Sequence, residues 1–200
     1  MTPPAIALDL GGVLLSDGTK TAFHRFEREF GLREDVGRAL WQSRLRVPAE
    51  IGLISEDDVW QGFQSAVPLR VSCEAIRNAF LSEFRPIQYG VDALIRLHRD
   101  GARVGLATNH VSSWLAVWRE KYAWFSLLDP VCCSSTLRCR KPEVAFFQAV
   151  RAAFGSDPLR FVDDDPVNVK GGRLAGLDAF LAQGDWLSAV ADASTRTEEK

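Results

Sequence analysis

The sequence predicts a three-layer α/β fold with a parallel sheet, interrupted after its first strand by an all-helical segment near residues 17–85. Two observations carry this prediction. At both ends of the chain, short apolar runs alternate with stretches of helical spacing, and strands joined through helices pair in parallel. Between Asp17 and Arg85 the alternation stops and helical spacing alone remains.

Ala5 to Leu8 is the first predicted strand, four apolar residues that end at Asp9. Gly11 and Gly12 follow and let the backbone turn tightly and approach a ligand. The helical segment comes next. Phe23, Phe26 and Phe30, then Ala39, Leu40 and Trp41, then Val59, Trp60 and Phe63, then Ala75, Ile76, Phe80 and Phe84 recur at helical spacing. Inserted after the first strand, these helices would cover the carboxyl edge of the sheet, where ligands of open α/β folds bind. Their aromatic residues read mainly as packing inside a helical bundle. The expected organisation is therefore a core of residues 1–16 and 86–200 with a helical cap of residues 17–85.

Further strands are expected at Ala102 to Ala107, Val131 to Cys133, Arg160 to Val162 and Asp178 to Ala182. The helices between them are marked by Val91, Leu94 and Ile95, by Trp114, Leu115, Val117 and Trp118, and by Phe146, Phe147 and Val150. The terminal "ASTRTEEK" is small and charged and reads as frayed.

Bulk properties narrow the function classes. The chain has 200 residues, 46% of them hydrophobic, enough for one buried core. With 24 basic and 26 acidic residues in no long block of one sign, neither a nucleic-acid groove nor an anionic membrane surface is expected as partner. No basic region precedes the first apolar stretch, and no run approaches the ~18 apolar residues of a membrane span. The expectation is a cytoplasmic chain. Cys73, Cys132, Cys133 and Cys139 lack metal-type spacing and read as buried thiols.

Acidic residues cluster where strands end. Asp163, Asp164 and Asp165 close the apolar "RFV", and Asp9 closes "AIAL". Two carboxylates about 4 Å apart repel by roughly 4 kcal/mol at an effective dielectric near 20. Acids that met in the fold would have to recruit a cation or shift a pKa. An Asp pair at a strand end opposite Asp9 supplies hard oxygen ligands suited to magnesium, with one of the three acids left as a helix cap.

The other candidates are read both ways. A strand-ending Asp9 before glycines is placed as a nucleophile, or as a turn residue. Thr108 and Asn109 suit a phosphate oxygen at a helix start, or serve as caps. Lys141, before a Pro142 placed to start a helix, is a solvated loop lysine or a cation between the Asp9 carboxylate and an incoming phosphate. Arg138 and Arg140 read as exposed.

In this order, "DLGGVLL", "TN", "RKP" and "VDD" resemble the four motifs of the haloacid dehalogenase superfamily, and the likeness spans the chain. The start and the helical insert resemble the branch with glucose-1-phosphatase-like enzymes and the amino-terminal phosphatase domain of soluble epoxide hydrolase. The resemblance implies a Rossmann-like core and a magnesium-dependent phosphatase working through an aspartyl-phosphate. It implies Asp9 as nucleophile, Thr108 and Asn109 as phosphate holders, and Lys141 as the group steadying the intermediate. Asp9, Asp164 and the backbone carbonyl of Gly11 would bind magnesium directly, and Asp163 from a second layer or through water.

One position departs from the pattern. Most superfamily phosphatases carry a second Asp two residues after the nucleophile, as acid and base; here that residue is Gly11. General acid–base help is worth ~10²–10⁴ in rate, so a ready leaving group, in an anomeric sugar phosphate or an acyl phosphate, is expected. Asp17, His24 and His110 are the candidates to replace the missing group. Phe23, Arg25, Trp41, Arg44, Trp60 and Gln64 are conceivable pocket members. The expected partner is a small phosphorylated metabolite, and the chain a monomer or homodimer. Alternatives are a 2-haloacid dehalogenase, which needs no metal, a non-catalytic binder of phosphate esters, and a phosphomutase.

Overall fold

The computed structural model describes residues 5–155 and 158–192. Five strands form one parallel sheet: β1 (Ala5–Leu8), β2 (Arg103–Thr108), β3 (Val131–Cys133), β4 (Leu159–Asp163) and β5 (Asp178–Leu181), ordered β3-β2-β1-β4-β5. β1 lies at the centre, Leu8 level with Leu106 on one side and Val162 on the other. The Asp9 amide continues the ladder by donating to the Val162 carbonyl. The order reverses beside β1, so the crevice at its carboxyl end is where a ligand fits.

Alternate residues of each strand face opposite layers. Ile6 and Leu8 join the cluster of Leu94, Leu97, Trp114, Trp118 and Val190. These belong to α6 (Gln88–Arg99), α7 (Ser112–Lys121) and α11 (Trp186–Asp192). Ala5 and Ala7 face a second cluster with Phe146, Phe147, Val150 and Val169. Those residues come from α9 (Val144–Phe154) and α10 (Pro166–Leu174). A short α8 (Ser134–Leu137) follows β3. The expected frayed terminus falls outside the described residues.

Between β1 and β2 the described chain runs through α1 (Thr19–Phe30), α2 (Glu34–Leu40), a π-turn (Trp41–Leu45), α3 (Arg46–Glu50), α4 (Glu56–Ala66) and α5 (Cys73–Leu81). It leaves and returns at one place: Ser16 donates to the Arg85 carbonyl and Ile87 to that of Leu14. Ser55 and Asp58 form a reciprocal capping box at the start of α4. Phe23, Phe26, Phe63 and Phe80 pack mutually, with ring centroids 5.5–6.4 Å apart. Trp114 of α7 stacks between Trp60 and Trp41, at 5.4 and 5.9 Å. The insert and one face of the core thus share a single hydrophobic cluster.

Two local expectations change. Pro142 does not start a helix: it follows Lys141 in a turn, and α9 begins at Val144. Arg140 is not exposed: it pairs at 2.7 Å with the buried Glu50. Arg138 is exposed but reaches the Gly52 carbonyl.

α6 seats directly on the loop after β1, because a Cβ on Gly90 would lie 1.9 Å from the Val13 carbonyl oxygen. Helix propensity alone favours Ala over Gly by ~1 kcal/mol. The clash reverses the sign: Gly90→Ala is expected to lower stability by about 1 kcal/mol or more in urea denaturation, whereas a gain would show that α6 does not rest on Val13.

Candidate active site

Lys141 is the centre of the site. It is 1% exposed, and its Nζ lies 2.8 Å from Asp9 Oδ1 and 2.6 Å from Asp163 Oδ2. Burial works against the ammonium, but Asp9 and Asp163 outweigh it and hold its pKa above the usual lysine value. Burial pushes the Asp9 carboxyl up to about 7, against the pull of Lys141 and aided by Asp163. Burial also raises Asp164.

Each of these groups is held in place by others. Asp9 Oδ1 also accepts from the Leu10 amide at 2.7 Å. Asp163 is fully buried; its Oδ1 accepts from the Asp165 amide at 2.8 Å, and Asn168 Nδ2 lies 3.1 and 3.2 Å from its two oxygens. Asp165 is the cap among the three acids, its side chain accepting from the Val167 amide at the start of α10. Asn109 clasps the Lys141 backbone reciprocally, Nδ2 donating to the carbonyl at 3.1 Å and Oδ1 accepting from the amide at 2.9 Å.

Oxygens of Asp9, Asp163 and Asp164 lie within 4.8 Å of one another. With all three carboxyls ionised, one ammonium leaves two negative charges uncompensated, which suits a divalent cation with oxygen ligands. The loop is shaped around Asp164: a Cβ on Gly12, at φ +70°, would lie 2.0 Å from Asp164 Oδ2. Gly11 differs. A Cβ there meets nothing within 4 Å.

A cavity of about 360 Å³ opens above these groups. Its floor includes Asp9, Gly11, Thr108, Lys141 and Asp164, and the insert supplies Phe23, Trp41, Arg46 and Glu50 to its walls. The Thr108 hydroxyl and the Trp114 indole N–H are buried and find no partner among the described residues. Both residues line the cavity. A buried donor left unmet costs ~1–3 kcal/mol, so an acceptor on a ligand would be favoured there.

The structure brings Asp9, Gly11, Thr108, Asn109, Lys141 and Asp164 to one cavity, with Asp163 buried behind Lys141. The side chain of Asn109 is committed to Lys141. Of the candidates to replace the missing acid, His24 is exposed and paired with Glu34 at 2.7 Å, away from the cavity. Asp17 lines the cavity and accepts from the Thr19 amide. His110 lines it too, edge-on to Trp118 and Phe84 at 5.2 and 6.0 Å. Burial pushes its pKa down to about 3, with Lys141 contributing. Neutral near pH 7, it holds no proton to give as an imidazolium.

Of the conceivable pocket members, Phe23 and Trp41 line the cavity. Arg25 is occupied by Glu29 and Glu83. Trp60 donates to Glu56 within the bundle, and Gln64 donates to the Val71 carbonyl. Arg44 does not line the cavity. Sequence reading missed Asn168 as the holder of Asp163, and Glu50 with its flanking arginines, Arg46 at 2.9 Å and Arg140 at 2.7 Å. The sole signal was the placement of Arg140 beside Lys141.

Comparison with known proteins follows this geometry. The sequence profile of the family described as haloacid dehalogenase-like hydrolase matches residues 3–176. No curated protein matches the chain. Among solved structures, a HAD family enzyme of Bacteroides thetaiotaomicron, in complex with magnesium and inorganic phosphate, is 25% identical, with a TM-score of 0.74 over 92% of this chain and 97% of that one. A structure described as a predicted HAD-like family hydrolase from Porphyromonas gingivalis is 22% identical, with a TM-score of 0.74 over 100% of both chains. L-2-haloacid dehalogenase from Xanthobacter autotrophicus, with chloropropionic acid covalently bound, is 16% identical, with a TM-score of 0.68 over 96% of this chain and 83% of that one. The last two likenesses are of fold alone. No helix among the described residues is long and apolar enough to cross a membrane.

His110 gives this subsection its test. Its pKa is about 3 in the folded chain against an ordinary 6.5, so between those values the unfolded chain binds more protons and stability falls as pH falls. Unfolding near pH 5 is expected to take up about one proton on this account. His110→Gln should remove that share of the acid slope in denaturation series run from pH 7 to pH 4; an unchanged slope would show that the imidazole is not held neutral.

Proposed function

The chain belongs to the haloacid dehalogenase-like hydrolase family, and from that premise we propose that it is a magnesium-dependent phosphatase of a small phosphomonoester, acting through an aspartyl-phosphate on Asp9. The observation that carries this reading is the buried Lys141 shared by Asp9 and Asp163, with Asp164 beside them and two negative charges left over. The magnesium–phosphate complex of the Bacteroides enzyme supports it by analogy.

Asp9, Asp164 and the Gly11 carbonyl would hold the metal, with Asp163 behind them. When bound, magnesium would supply positive charge against the phosphate oxygens. Asp9 Oδ1 already receives Lys141 and the Leu10 amide. Oδ2, which receives no donor among the described residues, is left to attack phosphorus. As that bond forms, the bond to the ester oxygen breaks, and Lys141 offsets charge on the carboxylate and the transferring group. The Thr108 hydroxyl donates to a phosphate oxygen. The side chain of Asn109 fixes the backbone that carries Lys141. Water then attacks phosphorus of the acyl phosphate, releasing phosphate and restoring Asp9. The insert covers this intermediate, its residues walling the cavity above Asp9.

A dehalogenase reading is favoured by Gly11, which leaves no carboxylate two residues after Asp9. The cluster of Asp164 with Asp9 and Asp163 favours the phosphatase, since displacement of a halide from carbon by Asp9 needs no cation. Phosphate release from glucose 1-phosphate should depend on magnesium, stop with chelator, and fall to background in Asp9→Asn, whose amide is no such nucleophile. Release of chloride from 2-chloropropionate in the presence of chelator would decide for the dehalogenase instead.

The open space at Gly11 allows a direct test of the leaving-group argument. Gly11→Asp fits without a clash at Cβ and is expected to speed hydrolysis of a simple alkyl phosphate by up to ~10² or more, the usual worth of a general acid. An acyl phosphate should gain far less. Equal gains on both would refute the idea that the native site relies on a ready leaving group.

A further inference from the structure

Arg46 is held in an unusual way for a cavity-lining side chain. Its Nε donates to Glu50 Oε1 at 2.9 Å, and Arg140 approaches the other Glu50 oxygen at 2.7 Å. Glu50 is 5% exposed, so one buried carboxylate fixes two guanidinium groups and leaves one positive charge over. Because the anchor is at Nε, the two terminal amino groups of Arg46 carry no hydrogen bond among the described residues. That end is an unpaired fork, and Arg46 lines the cavity above Asp9.

The neighbouring charges support the same direction. Lys20, in the first turn of α1, also lines the cavity and forms no ion pair among the described residues. Arg38 lines it but is paired with Glu34. The Arg46 charge is felt at the floor, where it contributes to the lowered pKa of His110. Trp41 and Trp114 also line the cavity, their faces already stacked on each other and on Phe63 and Trp60.

We propose that Arg46, seconded by Lys20, binds a carboxylate on the substrate at the end opposite the phosphate, so that the enzyme takes an anionic sugar phosphate in preference to a neutral one. A planar carboxylate matches the free fork in bidentate fashion. The proposal rests on the phosphatase reading for the identity of the other end of the ligand. Glu50 is a positioning residue here, since it holds Arg46, and Arg140 in turn holds Glu50.

The test compares glucose 1-phosphate with glucuronic acid 1-phosphate, which differ only in a hydroxymethyl against a carboxylate. Their non-hydrolysable 1-C-phosphonates are titrated calorimetrically into the wild-type, magnesium-loaded protein, and both esters are assayed for phosphate release. The uronate is expected to bind about tenfold tighter, the effect of one charge-assisted hydrogen bond. In Arg46→Met the ratio should collapse towards one, and Arg46→Lys, which keeps charge without the fork, should fall between. Equal wild-type binding of the two phosphonates, or no binding of either, overturns the proposal even if Arg46→Met fails to fold. So does tighter binding of glucose 1,6-bisphosphate than of the uronate ester, both measured in Asp9→Asn. Hydrolysis of both esters with no preference sinks this inference and spares the phosphatase reading. Selective uronate binding with no phosphate release does the reverse.

Discussion

An ammonium with 1% of its surface exposed has no water to carry its charge, and the architecture around Lys141 follows from that. Removing an ion from water costs several kcal/mol, recovered only by close partners with their own hydrogen bonds satisfied. Asp9 and Asp163 come from the ends of β1 and β4, adjacent parallel strands, so the sheet itself sets the spacing of the two carboxylates. Lys141 cannot come from a strand end there, because its Nζ must enter between them. It arrives from the loop after α8, and Asn109 at the end of β2 fixes that loop by its backbone. Asn168 and the Asp165 amide complete the shell of Asp163. Two strand ends thus meet the Lys141 ammonium directly, while the end of β2 and the start of α10 hold its backbone and its partner.

Much of this was legible in the residues because parallel strands buried on both faces read as unbroken apolar runs. The five predicted runs coincide with the five strands to within a residue or two at each end. The acids stood out because four carboxylates close just two such runs. What stayed hidden depends on partners far apart in the chain. Asn109 looked like a cap or a phosphate ligand, and its partner is a backbone 32 positions away. Arg140 looked like a loop arginine because Glu50 lies in another segment of the chain. His24 and His110 were equal candidates in the sequence; burial separates them, one paired at the surface and one neutral among aromatic rings.

The insert is tied to the core more firmly than a lid hinged on two strands would be. Trp114 belongs to the core and sits between two tryptophans of the insert. Arg138 holds the Gly52 carbonyl, and Arg140, next to Lys141, holds Glu50. Separating these surfaces would expose the large aromatic area that the shared cluster buries, at roughly 25 cal/mol per Å². Wholesale opening is therefore costly. Access to the cavity is better provided by side-chain movement at its rim, where Lys20 and Gln42 are exposed.

This bears on how a site without an acid at position 11 can still discriminate. On the proposed phosphatase reading, with the empty space at Gly11 and a neutral His110, the floor of the cavity would offer attack on phosphorus but little proton donation to whatever leaves. Chemistry of that kind is open to any activated phosphate that reaches Asp9, and an unselective enzyme would waste such compounds. Selection must then act at binding, in the walls supplied by the insert. A rigid insert suits that task, because an arginine anchored at Nε by the buried Glu50 is partly ordered before a ligand arrives, so part of the entropic cost of ordering it is met on folding rather than on binding.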